Sequence, residues 1–115
     1  NGMKKLSFID LYRSILFLAS LVTAGLFWNK PIIAFGIMGL LFIAINQSNR
    51  WQLIKTSLIC SLLGPMAEAI AIACKSWTYA RPAIAGVPFW LAPLWGIACI
   101  FFVSLADILY EKPRR

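Results

Sequence analysis

The sequence predicts an all-α, polytopic membrane protein with four transmembrane helices, organised as one domain over residues 1–115. Of these residues, 61% are hydrophobic and only 13% are charged, whereas soluble domains carry about 25% charged residues. Apolar runs alternate with short breaks that contain basic residues, as in helices that cross a membrane. The length leaves no room for a separate soluble module. The lipid bilayer is therefore the expected surrounding.

The first transmembrane helix is predicted over residues 7–28. The basic start and the apolar stretch that follows are similar to those of a secretory signal peptide. Asp10 and Arg13 interrupt that pattern, however, and the apolar stretch continues to Trp28. We therefore expect a membrane helix in which Asp10 and Arg13, three residues apart, share one face.

The second helix is predicted over residues 31–46 and follows a very short break. Pro31 suits the first turn of a helix, where its missing N–H group costs nothing. The 15 apolar residues from Pro31 to Ile45 rise only about 22 Å, less than the roughly 30 Å hydrocarbon core. This helix must extend into the polar residues after Ile45, or it must lie where neighbouring helices thin the bilayer.

The third helix is predicted over residues 53–75, and its spacing indicates a face directed at protein. Steps of four, three, four and seven residues place small and polar side chains on one side, with bulky aliphatic side chains opposite. The residues of this small and polar face are Ser57, Ser61, Gly64, Glu68 and Lys75. Pro65 removes a backbone hydrogen bond from the helix and predicts a kink.

The fourth helix is predicted over residues 88–110, after an unusually apolar connection. Four helices place both termini on one side of the membrane, where eight of the 11 cations lie. The positive-inside rule then predicts cytoplasmic termini in a bacterial inner membrane, with three cations outside. The inner cations are Lys4, Lys5, Arg13, Arg50, Lys55, Lys112, Arg114 and Arg115, and the outer ones are Lys30, Lys75 and Arg81.

Several function classes are excluded by composition. The chain has no histidine, and Cys60, Cys74 and Cys99 are spaced for neither a zinc site nor a disulfide framework. No metal and no cofactor are therefore expected. Nucleic acid is not an expected partner either, because the cations are scattered between the helices and form no basic face.

Glu68 is the candidate site residue, because it is the acid in the middle of an apolar run. It precedes Lys75 by seven residues, or about 10 Å along a helix, which places it in the outer half of the membrane. An unpaired carboxylate there is costly, so it must be neutral or paired. We expect Arg81 to pair with it. The alternative is a structural glutamate bonded to backbone groups exposed at the Pro65 kink.

Four aromatic residues accompany Glu68. Trp77, Tyr79 and Trp90 have positions typical of an interfacial aromatic belt, but Trp95 lies seven residues into the fourth helix, at the depth of Glu68. Proline and glycine flank both residues, and irregular membrane helices usually line a cavity. The sequence thus predicts an outer-leaflet pocket between the third and fourth helices and their connection. Its expected ligand-binding residues are Glu68, Trp77, Tyr79, Arg81, Trp90 and Trp95.

One pattern crosses this region: Gly64, Glu68, Trp77-x-Tyr79, Gly86-Val87-Pro88, Trp90-Leu91, Leu94-Trp95 and Ser104-Leu105. It resembles small four-helix bacterial inner-membrane proteins of uncharacterised function. It is also similar to the second half of carotenoid-biosynthesis membrane hydratases, which carry an acidic residue before an aromatic pair and a Gly-x-Pro. The resemblance covers about residues 60–105 and implies a membrane-embedded site.

Three functions are compatible with these residues. The first is a pocket for a lipophilic or amphipathic small molecule, including isoprenoid-type molecules, with Glu68 as a polar anchor or, in an enzyme, as the proton donor. The second is a small oligomeric proton-coupled transporter, although such exporters carry the acid in their first helix. The third is an assembly subunit whose small-residue faces dock a homo-oligomer or another membrane protein.

Overall fold

The computed structural model describes residues 7–110, which form four α-helices and no regular sheet. The all-α prediction is confirmed for this part of the chain. The helices are α1 (Phe8–Phe27), α2 (Pro31–Asn46), α3 (Trp51–Ala73) and α4 (Leu91–Leu109).

The helix ends follow from local chemistry. Ser7 begins α1 with a capping box: its hydroxyl accepts from the Asp10 N–H at 3.3 Å, and the Asp10 carboxylate accepts from the Ser7 N–H at 3.2 Å. Pro31 occupies the start of α2. Helix α3 begins and ends two residues before its predicted range of 53–75. Helix α4 is shorter than its predicted range of 88–110, because it begins at Leu91 and ends at Leu109. Residues 88–90 form turns whose carbonyls accept from Leu91 and Ala92.

Three of the four helices are long and apolar enough to cross a membrane, namely α1, α3 and α4. The shortest, α2, has 16 residues and rises about 24 Å. The length deficit expected for this helix is therefore present. Five of the cations on which the predicted membrane orientation depends lie outside the described residues, namely Lys4, Lys5, Lys112, Arg114 and Arg115.

Helix α4 is the centre of the bundle. It packs against all three other helices, while α1 packs against α2. It also contains four of the buried apolar side chains of the described residues, including Ile97 and Ile100. The start of α1 lies beside the end of α4, since Nη1 of Arg13 donates to the Ser104 hydroxyl at 2.9 Å. Residues 28–30 and 74–90 therefore connect helices at one end, and residues 47–50 at the other.

The predicted small and polar face of α3 is confirmed. Ser57 and Gly64 are buried, whereas Leu62 and Ile70 are about two-thirds exposed. The Ser57 hydroxyl donates to the Gly96 carbonyl of α4 at 2.9 Å. The helix continues without a break through Pro65. Small residues let α3 approach α4 closely, and this interface positions the site described next.

Candidate functional site

The connection between α3 and α4 leaves α3 through a tight reversal. Lys75 has a φ of 67°, its N–H donates to the Ile72 carbonyl, and the Ser76 N–H donates to the Ala71 carbonyl. These bonds form a Schellman motif, in which the left-handed position usually belongs to glycine. The reversal ends the helix at Ala73 and turns the chain back towards the bundle.

A second tight turn closes the connection before α4. The backbones of Ile84 and Val87 exchange two hydrogen bonds, and Ala85 and Gly86 between them have φ values of 51° and 86°. Positive φ at both central residues is typical of a type I′ turn. A side chain on Gly86 would also lie 2.8 Å from a methyl group of Ile72, so the turn packs directly onto α3.

Glu68 is held by two aromatic donors. The hydroxyl of Tyr79 donates to its Oε1, and the indole N–H of Trp95 donates to its Oε2 at 2.7 Å. An indole N–H can only donate, so Oε2 must accept. A phenol can both donate and accept, so the contact with Tyr79 is chemically compatible with either an ionised or a protonated carboxyl.

Tyr79 lies in the connection, outside the helices, and its ring packs edge-on against Trp90 with centroids 6.1 Å apart. Burial, reinforced by the hydrogen bond and the charge of Glu68, raises the pKa of the Tyr79 phenol well above its ordinary value of 10.0. Burial acts in this direction because it disfavours the charged phenolate. Tyr79 is therefore a neutral hydrogen-bonding group across the physiological range.

A pocket of about 300 Å³ opens beside this acid. It lies between α1 and α4, and Glu68 is its contribution from α3. The wall from α1 consists of Phe17, Leu21 and Ala24. The wall from α4 and the preceding turn consists of Trp90, Leu91, Leu94, Trp95, Ala98 and Phe102, and Tyr79 completes the lining.

The pocket is a gap between α1 and α4 that α3 borders only at Glu68. Helices α1 and α3 both pack on α4 without an extensive interface with each other. Leu21 and Phe102, which line the gap, are 45% and 54% exposed, so it opens on the side of the bundle. The third helix, the fourth helix and their connection, from which the sequence predicts a pocket, all contribute to its lining. The structure adds α1, which supplies one whole side.

The structure brings together four of the six predicted site residues: Glu68, Tyr79, Trp90 and Trp95. Trp77 is 45% exposed and is not among the described residues that line this pocket. Arg81 is also exposed and lines a separate groove with Pro31 and Phe89. The expected Glu68–Arg81 pair is therefore replaced by hydrogen bonds from Tyr79 and Trp95.

The residues of α1 were absent from the predicted site. Phe17, Leu21 and Ala24 recur at steps of four and three and so share one helix face. A signal for this side of α1 was present, because the polar residues Asp10 and Ser20 lie on it and are buried. The sequence does not show that the apolar residues on the same side line a pocket.

The arrangement can hold an apolar chain against hydrocarbon and aromatic walls, with a carboxyl group at one side for hydrogen bonding or proton transfer. Within residues 7–110, no cluster of three or more His, Cys, Asp or Glu side chains could hold a metal ion. No protein-family model matches the sequence, no curated protein matches it, and no solved structure matches its fold.

Proposed function

We propose that this integral membrane protein binds a lipophilic or amphipathic small molecule in the pocket between α1 and α4, with Glu68 as its polar anchor. The observation that carries the proposal is the combination of apolar walls with one carboxyl group in a pocket of about 300 Å³. This volume is at the lower end of the range for small-molecule sites, which are mostly apolar with a few placed polar groups.

The side opening supports a ligand that arrives through the membrane. Leu21 and Phe102, both about half exposed, border the gap where a bilayer would present hydrocarbon. An apolar ligand could enter there without passing through water. An apolar face at that position also costs nothing against lipid tails.

Glu68 supports a ligand that carries a hydroxyl group, because the carboxyl can accept a hydrogen bond from it in addition to those from Tyr79 and Trp95. Trp90 lines the pocket, but its indole Nε1 is buried. A ligand oxygen could therefore reach that donor only after the surrounding side chains move.

We also propose that α2 crosses the membrane with the other three helices. A multi-pass bundle of four spans would place both termini in the cytoplasm of a bacterial cell, within the inner membrane, as the distribution of cations favours. The antiparallel contact of α2 with α1 supports this topology, since the Tyr12 hydroxyl near the start of α1 donates to the Ala44 carbonyl near the end of α2. Reporter fusions at residues 29, 48 and 80 would test it.

The binding proposal is tested by filling the pocket. The variant Leu21→Trp places a bulky ring in the gap, and Leu18→Trp is the matched control, because Leu18 is 59% exposed and does not line the pocket. Each protein is purified in mild detergent, and its bound lipophilic material is identified by mass spectrometry. We expect a distinct molecule with the natural protein and Leu18→Trp, and its loss with Leu21→Trp.

Recovery of bulk phospholipid alone from all three proteins would contradict the binding proposal. The same is true if Leu21→Trp retains the molecule at the natural level. Proton-driven flux in proteoliposomes that disappears with Glu68→Gln would instead indicate the transporter hypothesis. A stable second protein in mild-detergent preparations would indicate the assembly hypothesis.

A further inference from the structure

A second groove lies at the opposite end of the bundle, near the start of α1 and the turn between α2 and α3. It has a volume of about 470 Å³, and it is lined mainly by polar and basic side chains. Arg13 and Arg50 provide its charges, and Asn49, Gln52 and Thr56 are among its polar residues. It shares no lining residue with the pocket that contains Glu68.

Arg13 is fixed in place by neutral partners. Its Nη1 donates to the Ser104 hydroxyl at 2.9 Å, and its Nη2 donates to the Asn49 side-chain oxygen at 2.8 Å. A guanidinium group has five N–H donors, so these two bonds leave one N–H on Nη1 and one on Nη2 for a ligand. Its Nε is buried without a partner among the described residues.

None of the described residues that line the groove is acidic. Asp10 is engaged in the cap of α1, where it accepts from Ser7. A half-buried, positioned guanidinium in a groove without acidic lining residues favours an anion from outside the described chain.

The start of α3 adds to the same positive potential. Arg50 is the N-cap residue, it is exposed, and its side chain provides no capping hydrogen bond to α3. The first N–H groups of a helix have no partner within it, and the helix dipole adds partial positive charge at that end. Helix start, Arg13 and Arg50 therefore converge on one polar groove.

We infer that this groove binds a phosphate group, with Arg13 as its fixed donor and Arg50 as its mobile one. Basic pockets between membrane helices are typical sites for anionic lipid head groups. A soluble phosphate compound presents the same chemistry, and the two sources are separated by experiment. The inference is independent of the ligand proposed for the Glu68 pocket.

The test uses the full chain in a neutral detergent and native mass spectrometry. Dioleoyl phosphatidic acid is compared with dioleoyl phosphatidylcholine, and inorganic phosphate is titrated separately by calorimetry. The variant Arg50→Ala removes an exposed charge without touching the Arg13 bonds. We expect it to weaken binding of phosphatidic acid about tenfold, the scale of a lost hydrogen bond to a charged group.

Two further variants make the result specific. Lys55→Ala is the matched control, because Lys55 is an exposed cation of α3 that stacks over Trp51 at 5.9 Å and does not line the groove. It should change binding less than about twofold, as for a screened surface charge. Arg13→Lys keeps the charge but loses the planar fork, and it should weaken binding while the fold is retained.

The binding measurements distinguish a soluble phosphate ligand from a lipid head group. Competition by inorganic phosphate would indicate a soluble phosphate ligand, and binding of phosphatidic acid without such competition would indicate a lipid head group. Equal affinity for phosphatidylcholine and phosphatidic acid, together with no response to phosphate, would overturn the inference. An equal loss with Lys55→Ala and Arg50→Ala would also overturn it, because only diffuse attraction would remain.

Discussion

The indole ring of Trp95 occupies the space that a side chain at Gly64 would need. A Cβ atom at residue 64 would lie 2.1 Å from Cδ2 of Trp95. The same indole donates its N–H group to Glu68. Gly64 therefore determines the position of the ring that holds the acid, and the glycine belongs to the site although it offers no functional group.

The substitution Gly64→Ala should displace Trp95 and destabilise the bundle. Overpacking against a rigid ring costs about 1–3 kcal/mol, more than the roughly 1 kcal/mol that alanine adds to helix propensity. Thermal unfolding in detergent measures the effect, and tryptophan fluorescence reports the displaced indole. Gly39→Ala is the control, because nothing lies within 4 Å of its new Cβ. Equal unfolding temperatures for the two variants would contradict this explanation.

Replacement of Glu68 should separate hydrogen bonding from acidity. In Glu68→Gln, the amide oxygen can accept from Trp95 while the amide N–H group donates to the Tyr79 oxygen. We expect stability to change by less than about 1 kcal/mol, within the usual range for one hydrogen bond. Glu68→Leu leaves both donors without a partner and should cost about 1–3 kcal/mol for each buried one.

The two variants are compared by thermal unfolding in the same detergent. Glu68→Gln should then serve, in ligand and flux measurements, as a folded variant whose residue 68 can neither release nor take up a proton. The hydrogen-bonding role of the carboxyl would be refuted if Glu68→Leu were as stable as the natural protein.

Tyr79 should make the bundle sensitive to alkaline pH. Its pKa is raised in the folded state, so its stabilising contribution is complete below the ordinary phenol pKa of 10.0. The contribution is lost as pH rises above that value towards the folded pKa, because the unfolded chain releases the proton more easily. Tyr79→Phe removes this dependence.

Ultraviolet difference titration of the natural protein against Tyr79→Phe isolates this phenol from Tyr12 and Tyr110. We expect the difference signal to titrate above pH 10 until the protein unfolds. A difference signal that titrates below pH 10 would show that the phenol is neither buried nor bonded to Glu68.

Lys75→Gly should stabilise the protein. Lys75 has a φ of 67° at the left-handed position of the Schellman motif, and left-handed backbone costs a residue with a Cβ atom about 1–2 kcal/mol. Lys75→Ala is the control, since it removes the charge and keeps the Cβ atom. A rise in unfolding temperature confined to Lys75→Gly supports the backbone explanation, and an equal rise in both variants would attribute the gain to charge.

Much of the helical framework could be predicted from local signals. Pro31 and the polar residues after Ile45 define α2, and the small residues of α3 mark its buried face. The common depth of Glu68 and Trp95 follows from counting residues at about 1.5 Å per residue, and the hydrogen bond between them is consistent with it.

The partner of Glu68 and the pocket walls could not be predicted in the same way. Tyr79 reaches the acid because of backbone reversals at Lys75 and at Ala85–Gly86, where two residues adopt a conformation their type does not favour. The wall from α1 depends on tertiary packing. The side of α1 that meets protein is marked by the buried polar residues Asp10, Ser20 and Thr23. They do not show that this side leaves a pocket against α4.

The central position of α4 has a consequence for biosynthesis. This helix emerges from the ribosome after α1, α2 and α3, yet all three pack against it. Before α4 is synthesised, α1 and α2 can pack against each other. The small-residue face of α3 has no extensive helix partner until then. Nascent chains that end before Leu91 should therefore pair α1 with α2 and leave α3 unpacked, and α3 would remain exposed to quality-control proteases until α4 joins the bundle.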